Sequence, residues 1–163
     1  MSTDISVTLR PVCEDDLPFL YDLYARSRHD FQYVDWPSEA QRQQVTRMQF
    51  NAQYQHYSEH YPQSEHNVII RTDRPDQPRV GRIWTAYEDD HILVLDLNLL
   101  PDHQRQGIGT MLINGKKDEA NAEGCPLRHH VEVDNRDALR LYRRLDFEIV
   151  DDLESHYLME WRP

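Results

Sequence analysis

The segment PDHQRQGIGT, residues 101–110, directly follows the apolar run ILVLDLNLL, residues 92–100. The apolar run predicts a buried strand. Residues 107–124 repeat apolar side chains at helical spacing and end at Gly124 just before a proline, so they predict a helix. A strand, a polar loop and a glycine pair at a helix N-terminus form a favourable anion site. The alternative is a tight turn that binds nothing.

Two common phosphate-binding loops are excluded by spacing. The P-loop requires G-x-x-x-x-G-K-[ST] and the dinucleotide fingerprint requires G-x-G-x-x-G. Leu112 stands where the fingerprint needs its third glycine. What remains is a cradle of backbone N–H groups from Gln104 to Thr110. In that cradle we expect Gly107 to let a ligand approach and Gly109 to let the helix pack closely on the strand.

The rest of the chain predicts a mixed α/β arrangement whose first strands form an antiparallel meander. The helix in residues 35–62 is expected to lie mostly exposed, with a sparse apolar stripe of Val45, Met48, Phe50, Ala52 and Tyr57. No repeat or linker interrupts the pattern, so residues 1–163 are expected to form a single domain. Strands are expected at 5–10, 67–72, 80–87, 92–100, 127–133, 147–150 and 155–161, and helices at 14–28, 35–62, 107–124 and 135–145.

Composition limits the classes of protein. The 163 residues are 39% apolar and 29% charged, with a net charge of −11. This acidity argues against nucleic acid as a partner. Cys13 and Cys125 cannot form a disulfide framework, and no basic leader or membrane-length apolar run is present, so a cytoplasmic protein without membrane attachment is expected.

The spacing of Gln104, Gly107 and Gly109 resembles the Q/R-x-x-G-x-G/A signature with which the GNAT superfamily of N-acyltransferases binds acyl-CoA. This resemblance is strong from Ile92 to Val150. Residues 1–90 match only in the order of their elements. It implies an α/β (α+β) fold, with a mainly antiparallel, twisted mixed sheet of six to seven strands. The sheet is splayed between strands 4 and 5 and flanked by about four helices.

A second motif lies about 30 residues further on. Asn135, Ala138, Tyr142 and Phe147 resemble the later motif of the superfamily. Without that motif, Tyr142 would be interpreted as a core aromatic residue on the apolar helix face. Asp146 replaces the usual glycine before the phenylalanine, and because aspartate tolerates positive φ we expect only a small local cost.

The resemblance implies acetyl-CoA as co-substrate and no metal. The loop would bind the pyrophosphate, while the strand before it and Asn135 would hold the pantetheine arm. The N–H near Leu99 would stabilise the oxyanion of a tetrahedral intermediate, and Tyr142 would give a proton to the departing thiolate. The expected cofactor contacts are Leu97, Leu99, Gln104, Arg105, Gln106, Gly107, Ile108, Gly109, Thr110, Asn135, Ala138 and Tyr142.

The acceptor is expected to be a primary amine of a small molecule or peptide. An amine with a lysine-like pKa of about 10.4 must lose a proton before it can attack. Asp96, which interrupts an apolar strand, is the first candidate base and Glu132 the second, with a water relay as the alternative. The net acidity weakly favours a cationic acceptor, and a homodimer is left open. Candidate acceptor-binding residues are Tyr33, Trp36, Gln53, Tyr57, Trp84 and Tyr157.

Other interpretations remain open. HYSEH, residues 56–60, spells the H-x-x-E-H pattern of some zinc proteases, although a third ligand segment is not evident. A non-catalytic acyl-CoA-binding regulatory module would keep the loop without transferring an acyl group. Four arginines near the expected phosphates either contact a 3′-phosphate or form a solvated helix face. They are Arg136, Arg140, Arg143 and Arg144.

Overall fold

The computed structural model describes residues 4–163 and contains seven strands and four α-helices. The expectation about the N-terminal leader falls partly on residues 1–3, which lie outside the described residues. The elements are β1 (Val7–Pro11), α1 (Leu17–Ser27), α2 (Glu39–His60), β2 (Glu65–Arg71), β3 (Arg79–Tyr87), β4 (Ile92–Leu99), α3 (Ile108–Glu123), β5 (Leu127–Glu132), α4 (Arg136–Arg144), β6 (Glu148–Asp152) and β7 (His156–Trp161).

The strands form one sheet in the order β1-β2-β3-β4-β5-β7-β6. All neighbours are antiparallel except β4 and β5, which run parallel. Their pairing starts at Ile92 with Leu127 and ends at Val94 with His129. Beyond Val94 the two strands separate, and we call this gap the splay. The predicted splayed, mainly antiparallel sheet is confirmed.

The helices cover the two faces of the sheet. Because side chains alternate along a strand, neighbouring residues of β3 face opposite layers. Ile83 packs in a cluster with Ile108 of α3, whereas Arg82 reaches Gln53 of α2. A separate apolar cluster joins α1 and α2 around Phe50. The end of β4, where the splay opens, therefore lies between two helical layers.

The buried face of α2 differs from the predicted stripe. Met48 is 62% exposed and Ala52 is also exposed, so these two members of the stripe were wrong. Phe50 is buried, and Val45 and Tyr57 are half-buried, so the other three members are confirmed. The same face also contains polar Thr46, which is buried, and Gln53, which a hydrophobic pattern alone could not locate.

β3 and β4 approach each other closely at a single glycine. A Cβ added to Gly81 would lie 2.2 Å from the carbonyl oxygen of Asn98 and 2.9 Å from Leu99 Cδ2. Real Cβ atoms do not come that close to a backbone oxygen, so any other residue would push the strands apart. The lone glycine within an apolar strand was the available sequence signal.

His66 of β2 is stacked flat on Trp84 of β3, with ring centroids 3.8 Å apart and an interplanar angle of 4°. Its Nε2 is buried and has no hydrogen-bond partner within residues 4–163. Burial, with a smaller effect of the charge on Arg82, lowers the pKa of His66 to about 3. The ring is therefore neutral at neutral pH.

We expect Gly81→Ala to lower the free energy of unfolding by about 1–3 kcal/mol, the usual cost of forcing extra volume into a packed site. Gly115→Ala is the matched control, because a Cβ there meets nothing within 4 Å and Gly115 lies inside α3. The control should gain about 0.5–1 kcal/mol. Urea denaturation measures both, and equal stability of the two variants would contradict the close approach.

The neutral His66 predicts a specific loss of stability in acid. Its folded pKa lies below its unfolded value of 6.5, so the unfolded chain takes up the proton first. Stability is complete above about pH 6.5 and falls towards pH 3, by up to about 1.4 kcal/mol per pH unit. His66→Phe keeps the stack and should lose less stability than the parent between pH 7 and pH 5. Parallel curves in urea denaturation would argue against a buried neutral His66.

Candidate active site

The loop between β4 and α3 depends on backbone conformations outside the usual regions. Gly107, the residue before α3, has φ of +86°, and Arg105 has φ of +61°. A Cβ on Gly107 would meet nothing within 4 Å, so its left-handed conformation is the reason for glycine there. The packing role expected for Gly109 is wrong, because a Cβ there would make an ordinary 3.7 Å contact with Leu141 Cδ2.

The two glutamine side chains of the loop bind the protein itself. Gln104 Nε2 donates to the carbonyl oxygen of Leu99 at 2.9 Å, and Gln106 Nε2 donates to that of Asp102 at 3.0 Å. The backbone N–H of Gln104 donates to Pro101 at 3.2 Å, so the expected N–H cradle does not begin at Gln104. Donors for an anion come from the following residues and the first turn of α3, where N–H groups lack intrahelical partners.

Arg71, at the end of β2, holds this loop through a hydrogen bond to Gln106. Its side chain is only 5% exposed. Nη1 donates to Gln106 Oε1 at 2.9 Å and lies 3.4 Å from Nδ1 of His103, while Nε and Nη2 engage the carboxylate of Asp73. Burial and the charge on Arg71 lower the pKa of His103. Arg71 was not singled out from the sequence, where its only signal is an arginine at the end of an apolar strand.

The splay leaves one edge of β4 open. The N–H of Leu100 donates to Val80 of β3 at 2.8 Å. Because backbone groups alternate along a strand, the N–H groups of Leu97 and Leu99 point away from β3, into the splay. Pairing with β5 has already ended at Val94, so these groups do not meet a β5 partner. The expected position of the pantetheine arm therefore coincides with an open strand edge.

Tyr142 of α4 is 3% exposed and lies between two aromatic rings. Its ring centroid is 4.8 Å from that of His129 and 5.1 Å from that of Phe147. Burial, followed by the negative charge of Asp96, raises the pKa of the phenol well above its usual value. The hydroxyl is therefore protonated at neutral pH. The positive φ expected at Asp146 is confirmed at +67°.

Asn135 begins α4, and Ala138 lies on the side of the helix that packs on the core. The Oδ1 atom of Asn135 accepts a hydrogen bond from the N–H of Ala138 at 3.2 Å. This N-cap orients the exposed side chain of Asn135 at the start of α4. Contact between the amide nitrogen of Asn135 and the cofactor remains a prediction.

Asp96 of β4 forms an ion pair beside the splay. Its Oδ2 accepts from Nε of Arg82 at 2.7 Å, and Arg82 Nη2 donates to Gln53 Oε1 at 2.6 Å. Arg82 is fully buried and was not singled out from the sequence, whereas the Asp96 side chain is 25% exposed. Glu132 lies exposed at the end of β5. The role of Asp96 or Glu132 as the base that deprotonates the amine remains a prediction.

The sequence model of the acetyltransferase (GNAT) family matches residues 18–147. This chain belongs to the GNAT family. The probable N-acetyltransferase san of Drosophila melanogaster is 30% identical over 80 residues, which are 47% of this GNAT chain but only 42% of that relative.

Solved structures share the fold at low sequence identity. The PaiA N-acetyltransferase of Thermoplasma acidophilum, in complex with coenzyme A, is 19% identical with a TM-score of 0.72, over 97% of this GNAT chain and 99% of that one. The spermidine N-acetyltransferase of Vibrio cholerae, in complex with CoA and spermine, is 19% identical with a TM-score of 0.61, over 94% and 92%. At such identities the likeness concerns the fold alone.

The residues predicted to bind the acceptor of this GNAT protein fall into two groups. Tyr57 donates its hydroxyl to the carbonyl oxygen of Leu95 at 3.2 Å, and burial raises its pKa to about 12. Trp84 is buried and lies against Tyr57. With Gln53, they form a polar aromatic layer under α2. Tyr157 of β7 packs against the core cluster that includes Tyr142.

The second group lies on the connection between α1 and α2. Tyr33 is 84% exposed, and Trp36 donates its indole N–H to the carbonyl oxygen of Phe31 at 3.0 Å.

A pair of histidines on β5 and β7 was not singled out from the sequence. The rings of His130 and His156 are 5.4 Å apart. Burial and the neighbouring His156 lower the pKa of His130. The adjacent histidines at 129 and 130 were the only signal.

The remaining charged motifs of this GNAT protein lie on its surface. His56 and His60 stack with ring centroids 4.1 Å apart, and residues 4–163 contain no group of three His, Cys, Asp or Glu side chains arranged to hold a metal. No helix in the described part of the chain is long and apolar enough to cross a membrane. The four arginines of α4 are exposed, and one of them, Arg140, contacts Asp137.

We expect Arg71→Gln to weaken CoA binding about tenfold, because the loop loses the donor that holds Gln106 and a mispositioned site loses much of its binding energy. Arg74→Gln is the matched control. It also removes one positive charge, three residues further along the chain in the connection between β2 and β3, but Arg74 is exposed. The control should change the Kd less than about threefold, the scale of a surface charge effect. Calorimetric titration with CoA measures both, and equal losses would assign the effect to charge alone.

Proposed function

We propose that this GNAT protein is an N-acetyltransferase that moves the acetyl group of acetyl-CoA to a primary amine of a small molecule or peptide. One arrangement carries the proposal. The glycine turn precedes α3, the edge of β4 is open beyond Val94, and Tyr142 is buried against His129, the last β5 residue paired with β4. The first supplies N–H donors for a pyrophosphate, the second unpaired backbone groups for the amides of a pantetheine arm, and the third a proton donor.

The chain contributes fixed groups to each step of the transfer. The amine nitrogen attacks the thioester carbonyl, and the N–H of Leu99 is the proposed donor to the oxyanion of the tetrahedral intermediate. When the C–S bond breaks, the phenol of Tyr142 gives its proton to the sulfur, which leaves as the thiol. The proton of the attacking amine passes to Asp96, to Glu132 or to a water chain. Tyr142 regains a proton from solvent or from that same base.

The acceptor is proposed to be cationic. The charge of Asp96 is balanced by Arg82, but Glu132 is exposed at the end of β5, and the whole chain carries a net charge of −11. These charges favour an ammonium group over an anionic acceptor. The spermidine enzyme of Vibrio cholerae provides a related case with a polyamine. A single acetyltransferase domain, a cytoplasmic location and a homodimer stay predictions.

A thiol-release screen of acetyl-CoA with amines, amino acids, polyamines, aminoglycosides and peptides tests the proposal. Purified protein should release CoA with at least one class, and mass spectrometry should show an acceptor heavier by one acetyl group. Binding of CoA without turnover on any class would favour the alternative, a non-catalytic acyl-CoA-binding module.

Tyr142→Phe should reduce kcat on the best acceptor of that screen by about 100-fold or more, the usual effect of losing a general acid. The Kd for CoA should change little, because the ring and its packing remain. Tyr21→Phe, in α1, removes a hydroxyl whose hydrogen bond to the carbonyl oxygen of Gln43 is 3.4 Å long, and it should retain the parent kcat. Equal kcat in Tyr142→Phe and the parent would exclude the phenol as proton donor.

A further inference from the structure

β4 contains one extra residue just where the splay begins. Thr85 of β3 pairs with Val94, but the next residue, Trp84, pairs with Asp96. Leu95 is therefore a β-bulge, which bends the strand and interrupts its regular hydrogen bonds. The parallel pairing with β5 ends at the same place, at Val94. The bulge thus marks the closed end of the splay.

Side chains from two different elements hold the carbonyl groups of this bulge. Nδ1 of His129 lies 2.7 Å from the carbonyl oxygen of Val94, and the hydroxyl of Tyr57 donates to that of Leu95. A carbonyl oxygen only accepts hydrogen bonds, so Nδ1 of His129 carries the proton. Burial lowers the pKa of His129, so the ring is neutral at neutral pH and its Nε2 carries no proton.

The same imidazole contacts the proposed proton donor. His129 is the last β5 residue paired with β4, and its ring packs on that of Tyr142 with centroids 4.8 Å apart and an interplanar angle of 41°. Phe147 packs on Tyr142 edge-on, at an interplanar angle of 79°. One side chain therefore touches both the backbone at the closed end of the splay and the phenol ring beside it.

We propose that His129 is a positioning residue for acetyl transfer, whose Nδ1–H bond to Val94 fixes the bulge relative to Tyr142. The proposal rests on the proposed function, because the distance between the open β4 edge and the phenol matters only if both groups act in acetyl transfer. An apolar side chain of similar size would fill the space, but it would leave the carbonyl of Val94 buried without its donor. The bulge would then relax, and the N–H groups further along β4 would move with it.

A matched pair of variants separates the hydrogen bond from mere packing. The amide of His129→Asn places a donor near the position of Nδ1, whereas that of His129→Gln reaches the position of Nε2 and misses Val94. His129→Asn should keep kcat for acetyl transfer within about threefold of the parent, and His129→Gln should lower it about tenfold or more, as expected for a misplaced reacting group. The Kd for CoA should change less than kcat in both variants, because the glycine turn at α3 is untouched and only the contacts along β4 shift.

Rescue by asparagine together with this split between kcat and Kd would support the proposal. Parent kcat in His129→Gln would overturn it, and so would an equal loss in both variants. Where His129→Gln does not fold, His129→Phe replaces it, since phenylalanine keeps a ring against Tyr142 but lacks the donor. It is then compared with His129→Asn in the same way.

A second measurement does not depend on turnover. Amide hydrogen exchange at Asp96 and Asn98, whose N–H groups face β3, should be about tenfold faster in His129→Gln than in His129→Asn, because the bulge has lost its donor. Equal exchange in the two variants would overturn the proposal even in a protein that acetylates none of the screened amines. If Tyr142→Phe keeps full activity while His129→Gln loses it, the phenol role fails and the positioning of the bulge stands.

Discussion

The separation of β4 from β5 after three paired residues is the constraint on which the proposed site depends. β4 remains paired with β3 on both sides of the bulge at Leu95, so β3 supports its backbone although its other edge is open. An open strand edge inside a protein is normally costly because its N–H and C=O groups lack partners. Here the helical layers on both faces keep the gap in place. Its groups are thereby available to an extended, amide-containing ligand.

Buried polar side chains hold this frame in position, each across a different junction. Arg71 connects β2 to the loop before α3, Arg82 connects β3 to β4 and α2, and His129 connects β5 to β4. A buried guanidinium or imidazole is tolerated only where its hydrogen bonds are made, so each strongly restricts the relative placement of the elements that it joins. Arg82 still has one nitrogen, Nη1, that lacks a partner within residues 4–163.

The parts of the fold that depend on short stretches of chain could be predicted from the sequence. Strand and helix periods, the glycine turn at 107 and the positive φ at Asp146 are properties of a few neighbouring residues. The polar part of the buried face of α2, Thr46 and Gln53, could not be predicted. Gln53 accepts a hydrogen bond from Arg82 of β3, a partner that is near only after folding, and the hydroxyl of Thr46 donates to the carbonyl oxygen of Arg42 within the helix.

By itself the sequence determined the order of the elements, the glycine turn before α3 and, through two spaced motifs, the family to which the chain belongs. The tertiary structure alone decided that Gln104 and Gln106 brace the loop, that Asp96 is ion-paired and that His129 holds the bulge beside Tyr142. The reason is physical. Local conformation follows from interactions between residues close in the chain, whereas these contacts join residues that strand register and helix packing bring together across the sheet.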